Sequence, residues 1–436
     1  MQTPLRSLVE KSGFALLYRT ASAGLSYGLY LLIPLTMGAA ELGVFSLTQA
    51  WIAGLGSIAA LGFNITMLRL VSKYGFTHTV VRFYARTLVL VVAVASIISL
   101  ALMMFALPIA RLIVADTVNA TPALLLAAGL PLQVLLLINV EVIRGMHNIR
   151  VSEFFRNLLV LLVCALALFP LDALLGARYV PAMAYVIGLA VSALVSSIYV
   201  AYLAHTKVEA STLTPELTIK KELPASLTLM GNALLQVLNR RGMLMLLGSL
   251  SNAATAGVFS FAFKLSTLPD FVASSVKAPA APLISQLFWQ RKYTELGALL
   301  QRSVRLVALF SIPASLGLLL FAHPVMRFGG HEMVAGVATL QLLVLVQLVN
   351  SLSGLTGVFL NMTNHQLVLL QIMVPAVLLN LGAAYWLIPQ LGMLGAAGGF
   401  LASTALWNGL CIRFIRKRYG MRTYLSKAPT ATLSST

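Results

Sequence analysis

Apolar blocks of about twenty residues, each bounded by a short polar turn, recur twelve times along the chain. About twenty residues is the helical length that crosses a roughly 30 Å hydrocarbon core. The pattern predicts helices near 13–37, 44–68, 87–108, 121–143, 152–170, 179–204, 224–248, 254–284, 303–323, 335–360, 365–388 and 393–415. The fold class is therefore an all-α polytopic membrane protein with about 12 transmembrane helices. Only Arg6 and Lys11 precede the first block, and no small-residue cleavage site separates it from the second. It reads as a retained helix and not as a signal peptide. The longest polar interruption, His205 to Glu222, divides six predicted helices from six. The expected organisation is an N-terminal six-helix bundle (1–204), a cytoplasmic linker (205–222), a C-terminal six-helix bundle (223–415) and a basic cytoplasmic tail (416–436).

Composition agrees. Of 436 residues 59% are hydrophobic and 10% charged, against about 45–50% and about 25% in soluble domains. The formal net charge of +18, from 30 basic and 12 acidic residues, would suggest nucleic acid as the partner of a soluble protein. Its distribution gives another reading. On the side that holds the N-terminus lie Arg6, Lys11, Arg69, Lys73, Arg82, Arg86, Arg144, Arg150, Arg156, Lys207, Lys220, Lys221, Arg291, Lys292, Arg302, Arg305 and six residues of the tail from Arg413 to Lys427. Arg111, Arg178 and Arg327 are all that fall on the other side. Such a bias places both termini in the cytoplasm and accounts for most of the charge with no nucleic acid. Cys164 and Cys411 sit inside apolar blocks, as small core residues with no disulfide or metal-site spacing.

The halves resemble each other. Gly43-Val44-Phe45-Ser46 recurs as Gly257-Val258-Phe259-Ser260, and Pro170 with Leu175-Gly176-Ala177 recurs as Pro389 with Leu394-Gly395-Ala396. Two matches in the same order at nearly the same offset indicate duplication. Because six is even, the two copies share one orientation about an axis along the membrane normal, an arrangement that binds substrate between the halves near the midplane.

Five basic residues remain, all inside apolar blocks: Arg19, Arg240, Arg241, Lys264 and Lys277. A cation at the bilayer centre costs about 2.5–3.5 kcal/mol on insertion scales, so it faces a wet cavity or a partner. Lys264 and the Arg240-Arg241 pair lie near mid-depth, and Asp270 is the acidic residue placed to answer them. Arg240, Arg241 and Lys264 would together cost about 9 kcal/mol, more than one carboxylate offsets. A bound anion would supply the difference. The plainer readings are that the arginines anchor at an interface, that Lys264 simply pairs with Asp270, and that Lys277, near the cytoplasmic end, is an interfacial anchor. Asn64, Asn232, Gln236 and Asn239 are candidate lumen residues. The last three, spaced four and three apart, share one helical face, although interhelical hydrogen bonding is the ordinary use of such amides. The six histidines lie at helix ends or in loops without HExxH, GxSxG or Walker spacing. Nothing here indicates an enzyme, a cofactor or a metal site.

Four segments carry a family resemblance: Gly38 to Ser46 (GAAELGVFS), Ala59 to Arg69 (AALGFNITMLR), Asn239 to Lys264 (NRRGMLMLLGSLSNAATAGVFSFAFK) and Pro389 to Ala397 (PQLGMLGAA). Through them the chain, over about residues 8 to 415, resembles the polysaccharide flippases of the multidrug, oligosaccharidyl-lipid and polysaccharide exporter superfamily. The resemblance implies two six-helix bundles forming a V around a central cationic lumen. It also implies flipping of an undecaprenyl-diphosphate-linked oligosaccharide across a bacterial inner membrane by alternating access, with membrane lipids and polysaccharide assembly proteins as partners. H+ or Na+ is the implied coupling ion and Asp270 its candidate site. Relatives often carry an acidic residue followed by Arg where this chain has Arg240-Arg241, a departure that favours an anionic ligand. A cation-coupled multidrug exporter of the same fold is the alternative, but it would need acidic residues in its cavity. A membrane glycan polymerase or ligase is the alternative from another class, and it would need a large outward catalytic loop.

Overall fold

The computed structural model describes residues 4–176, 178–208, 217–421 and 423–424, and of residues 4–19, 271–279 and 282 the backbone only. Most of the 205–222 interruption and of the basic tail thus lies outside the described residues. What is described folds into helices joined by short turns, as hydrocarbon demands: with no water to satisfy them, backbone N–H and C=O groups must pair within their own segment.

All twelve predicted segments are present, several of them broken. The first is α1 (Pro4–Met37), and the second is α2 (Ala39–Ala59) followed by α3 (Phe63–Tyr74). Next come α4 (His78–Met104) with α5 (Ala106–Ile113), then α6 (Thr121–Gly145). The fifth segment runs through α7 (Ile149–Glu153), a π-helical turn (Phe154–Leu159) and α8 (Val160–Leu175), and the sixth is α9 (Val180–Thr206). The second half consists of α10 (Ile219–Leu250), α11 (Ala253–Ser266), α12 (Leu268–Trp289), α13 (Tyr293–Leu320), α14 (Ala322–Arg327), a 3-10 turn (His331–Gly336), α15 (Val337–Leu352), α16 (Thr356–Met362), α17 (Gln366–Leu391) and α18 (Met393–Tyr419). Among the described residues, 8 helical stretches are long and apolar enough to cross a membrane. α10 is not one of them, because Lys220, Lys221, Glu222, Arg240 and Arg241 interrupt it. The eighth segment is interrupted at Thr267, between α11 and α12.

The chain forms two compact units, Met1–Arg241 with Asn252–Gly257, and Gly242–Ser251 with Val258–Thr436. In the first, α6 is the central helix, packed by α2, α3, α4 and α9. Its buried Asn139 ties three helices together. The Tyr84 hydroxyl donates to Asn139 Oδ1 at 2.6 Å, and Asn139 Nδ2 donates to Ser197 Oγ at 2.8 Å and Ser196 Oγ at 3.1 Å. Two residues on, buried Glu141 pairs with Arg156 of the π-helical turn, with Arg144 at 3.9 Å from its other oxygen. The Ser192 hydroxyl donates to the Phe155 carbonyl of that turn at 2.6 Å, and Gly188 lets α9 come so close to α8 that a Cβ there would strike the Val160 carbonyl.

The boundary between the units falls inside α10, because the first part of that helix packs along α3. Gly62, at a φ of 76°, opens α3, and a Cβ on it would strike the Ser226 carbonyl. Thr66 Oγ1 meets Ser226 Oγ at 2.7 Å, and Arg69 pairs with Glu222 at 2.5 Å. Gly62, Thr66 and Arg69 are spaced four and three apart, so a single face of α3 holds α10.

In the second unit α18 packs on α15 and α17, and α13 on α12 and α15. Small residues again set the approach. A Cβ on Gly395 would strike the Leu387 carbonyl, and Ser403 Oγ donates to the Ala376 carbonyl at 2.7 Å. An aromatic cluster of Phe288, Phe359, His365 and Tyr419 joins the ends of α12, α16, α17 and α18, with His365 Nε2 and the Tyr419 hydroxyl 3.1 Å apart.

Breaking a buried pair by removing one partner is far more destabilising than replacing both with apolar residues. Arg156→Ala is therefore expected to lower the stability of the detergent-solubilised protein by about 3 kcal/mol, while the double substitution Glu141→Leu with Arg156→Met costs much less. Thermal unfolding midpoints of the two variants check the order, and a double variant less stable than the single would contradict it.

Candidate functional site

α10 presents Asn232, Gln236, Asn239, Arg240 and Arg241 in succession. Neighbouring helical residues point about 100° apart, and here the two arginines separate. Arg240 is exposed, as is Gln236 one turn before it, whereas Asn232, Asn239 and Arg241 are half-buried. Among the described residues Arg241 makes no ion pair with a carboxylate. Its charge acts instead on the hydroxyls of Tyr30 in α1 and Tyr185 in α9.

These phenols belong to a packed group. Ser46 Oγ donates to the Tyr30 hydroxyl at 3.3 Å, and the Phe45 ring makes edge contacts with Tyr30 and Tyr185, each at 5.9 Å between centroids. α1, α2, α9 and α10 thus bring one guanidinium together with two phenols and an alcohol. A guanidinium presents a rigid fork of N–H donors suited to phosphate or carboxylate oxygens, and hydroxyls rotate to donate as needed. Sequence reasoning did not identify Tyr30 or Tyr185. The available signal was Ser46, which closes the repeated Gly-Val-Phe-Ser motif and whose counterpart, Ser260, is also buried.

Lys264 and Asp270 belong to the second unit and stand on either side of the Thr267 break, both half-buried. The Thr267 hydroxyl donates to the Lys264 carbonyl at 2.7 Å, closing the last turn of α11. α12 then begins with Pro269 and Asp270 in its first turn, where the helix dipole favours a carboxylate. The Pro269 carbonyl accepts from Ser311 at 3.2 Å. Because the helix is interrupted between them, Lys264 and Asp270 do not share the register of one continuous helix. Asn64 is half-buried on α3. The side chains of Arg19 and Lys277 lie outside the described residues.

Comparison with known proteins gives consistent results. A family model described as "Polysaccharide biosynthesis protein" matches residues 8–288, and the MatE model matches residues 228–386. No curated protein matches the sequence significantly. Among solved structures, the chain is similar to an inward-facing multidrug resistance MATE family transporter of the MOP superfamily, with a TM-score of 0.68 and 15% identity over 93% of this chain and 94% of that one. It is also similar to the lipid II flippase MurJ in an inward closed conformation, with a TM-score of 0.66 and 14% identity over 92% of this chain and 87% of that one. A third is a MOP superfamily transporter from Pyrococcus furiosus, described by its reverse polarity of binding pocket, at a TM-score of 0.55 and 16% identity over 94% of this chain and 93% of that one. At such identities the likeness concerns the fold, a multi-pass transporter fold.

The unequal placement of the two arginines is directly measurable. A cysteine replacing Arg240 is expected to react with a small water-soluble maleimide several-fold faster than one replacing Arg241 in the purified protein. Equal rates would mean that α10 is not rotated as described.

Proposed function

We propose, for a chain that belongs to the polysaccharide biosynthesis protein family, that it flips an undecaprenyl-diphosphate-linked oligosaccharide, a surface polysaccharide precursor, from the cytoplasmic to the outer face of a bacterial inner membrane. The two halves, 1–204 and 223–415, form six-helix bundles around a cationic lumen lined by Arg19, Arg240, Arg241, Lys264 and Lys277, with Asn64, Asn232, Gln236 and Asn239 contributing polar surface. Both termini, the 205–222 linker and the 416–436 tail are cytoplasmic. The lumen opens to each side in turn.

The observation that carries this reading is Arg241: half-buried in a membrane protein, without an acidic partner among the described residues, and within electrostatic reach of the Tyr30 and Tyr185 hydroxyls. A diphosphate brings about two negative charges, and the low dielectric of a protein interior strengthens their attraction to Arg and Lys relative to water. The glycan rides in the hydrated lumen while the lipid tail stays in the bilayer. The similarity to a lipid II flippase supports a lipid-linked cargo. Asp270, in the first turn of α12, is the residue for coupling to H+ or Na+.

The match to the MatE model and the likeness to a multidrug transporter favour one second reading, a cation-coupled multidrug exporter. Such a protein attracts cationic cargo with acidic residues, and the deep charge here is predominantly basic.

Flipping of defined lipid-linked oligosaccharides in proteoliposomes, with and without ion gradients, tests the proposal. Arg241→Glu or Lys264→Glu is expected to abolish flipping with expression intact, whereas Arg178→Glu leaves it unchanged. Full flipping by Lys264→Glu, or export of a cationic dye in place of the lipid-linked cargo, would overturn the proposal.

A further inference from the structure

The third segment of each half ends in the same way. Phe105-Ala106-Leu107-Pro108-Ile109-Ala110-Arg111, which closes α4 and forms α5, recurs as Phe321-Ala322-His323-Pro324-Val325-Met326-Arg327, which closes α13 and forms α14. Arg86 within α4 recurs as Arg302 within α13 at the same offset. Each stretch lies inside its own compact unit, and the chain builds both alike. The phenylalanine leaves the long helix at φ −111°, ψ 37° in the first and φ −100°, ψ 21° in the second. The Phe105 N–H donates to the Ala101 carbonyl at 3.1 Å, and its own carbonyl accepts from Ile109 at 3.0 Å. For Phe321 the partners are Gly317 at 2.9 Å and Val325 at 3.0 Å. The proline is the third residue of the short helix in both, where its missing N–H would have no helical partner.

The exposed faces agree as well. In α4 a stripe spaced three and four apart runs through Ile97, Leu100 and Met104, and in α13 the equivalent stripe runs through Pro313, Leu316 and Leu320. It ends on Phe105, 60% exposed, and Phe321, 61% exposed. Each phenylalanine stands nineteen positions after the exposed arginine of its own helix, about 28 Å of helix at about 1.5 Å per residue. That is close to the thickness of a hydrocarbon core. Beyond it, fully buried Ala110 and Met326 are followed by exposed Arg111 and Arg327, and then by the exposed apolar residues Leu112 and Phe328. A short helix that buries one side and shows a cation beside apolar side chains on the other suits the boundary between acyl chains and headgroups. Among the described residues Arg111 and Arg327 form no ion pair with a carboxylate, and neither 105–112 nor 321–328 contains an acidic residue. Basic residues are scarce on this side of the membrane, and two of the three assigned there occupy equivalent places in the repeat.

We propose that each half carries a site for an anionic phospholipid at the outer interface. Arg111 and Arg327 hold the headgroup phosphate, and Phe105 and Phe321 lie among the acyl chains. A guanidinium offers paired N–H donors to phosphate oxygens. A zwitterionic headgroup brings an ammonium for which neither stretch has a carboxylate, so a headgroup of net negative charge, such as phosphatidylglycerol, fits better. The proposal takes from the reading above only which side is outer, and not the cargo.

The test uses full-length protein with photoreactive benzoylphenylalanine in place of Phe105 or of Phe321, in vesicles of phosphatidylethanolamine containing a minor share of phosphatidylglycerol. After irradiation, mass spectrometry identifies the attached lipid. Phosphatidylglycerol is expected among the adducts at about fivefold its share of the bilayer, the attraction of about one basic residue to an anionic headgroup. Arg111→Gln should remove the enrichment at position 105 and leave it at 321, Arg327→Gln should do the reverse, and Arg178→Gln should change neither. Adducts that mirror the bilayer while both arginines are intact, or enrichment that survives Arg111→Gln and Arg327→Gln, would overturn the site. So would replacement of phosphatidylglycerol by an undecaprenyl-diphosphate disaccharide added to the vesicles, since the arginines would then serve the cargo. A protein that enriches phosphatidylglycerol at both positions but flips no lipid-linked oligosaccharide keeps the phospholipid site and loses the cargo assignment.

Discussion

The hydrocarbon interior offers no water to a polar group, and most of what the chain does follows from that. Backbone amides pair within helices because nothing else will take them. Lipid tails are as apolar as leucine, so helices gain little by hiding leucine from them, and close packing with short polar bonds must hold neighbours together. Small residues at the crossings meet this need. Gly188 faces the Val160 carbonyl, Gly395 faces the Leu387 carbonyl, and serine hydroxyls donate across helices to the carbonyls of Phe155, Ala376 and Pro269.

The same scarcity gives the charges their meaning. Several acidic residues have structural tasks. Glu141 answers Arg156, Glu222 answers Arg69, Asp116 caps the start of α11, Glu41 accepts from the Tyr179 N–H, and Asp270 sits in the first turn of α12. None of the first four answers Arg241. With its neighbours the neutral hydroxyls of Tyr30 and Tyr185, the site has a charge deficit that an anionic headgroup would fill. A protein built to attract cations would place its carboxylates the other way round.

Helix positions were largely readable, because a span of about twenty apolar residues leaves an unmistakable trace. The breaks were less so. Leu61 and Gly62 interrupt the second segment through positive φ values of 49° and 76°, and apolar periodicity carries no sign of a left-handed residue. The π-helical turn at Phe154–Leu159 was likewise invisible, and a carbonyl within it accepts from Ser192, more than thirty positions away. Among the candidate residues, the separation of Arg240 from Arg241 follows from helical geometry alone. Tyr30 and Tyr185 could not be found that way: tyrosines in apolar helices are ordinary, and it takes the fold to bring α1 and α9 beside Arg241. The pairing of Glu141 is only half legible in the sequence. Its neighbour Arg144 is three residues on, but the closer partner, Arg156, comes from the next segment.

Gly43 at the start of α2 and Gly257 in α11 meet reciprocally, each so close to the other copy of the repeat that a Cβ on it would strike the carbonyl of Ala253 or Ala39, and this bears on how such a chain changes over evolutionary time. A contact that maps onto itself has the symmetry of a homodimer interface, here enclosed within a single polypeptide. In a homodimer one mutation alters both sides at once; after duplication and fusion each side mutates alone against a partner that has stayed the same. A side chain gained at either glycine meets an unchanged carbonyl on the other copy, so neither copy is free to drift at this crossing. The glycine of the repeated Gly-Val-Phe-Ser motif is therefore a position at which the two copies constrain each other.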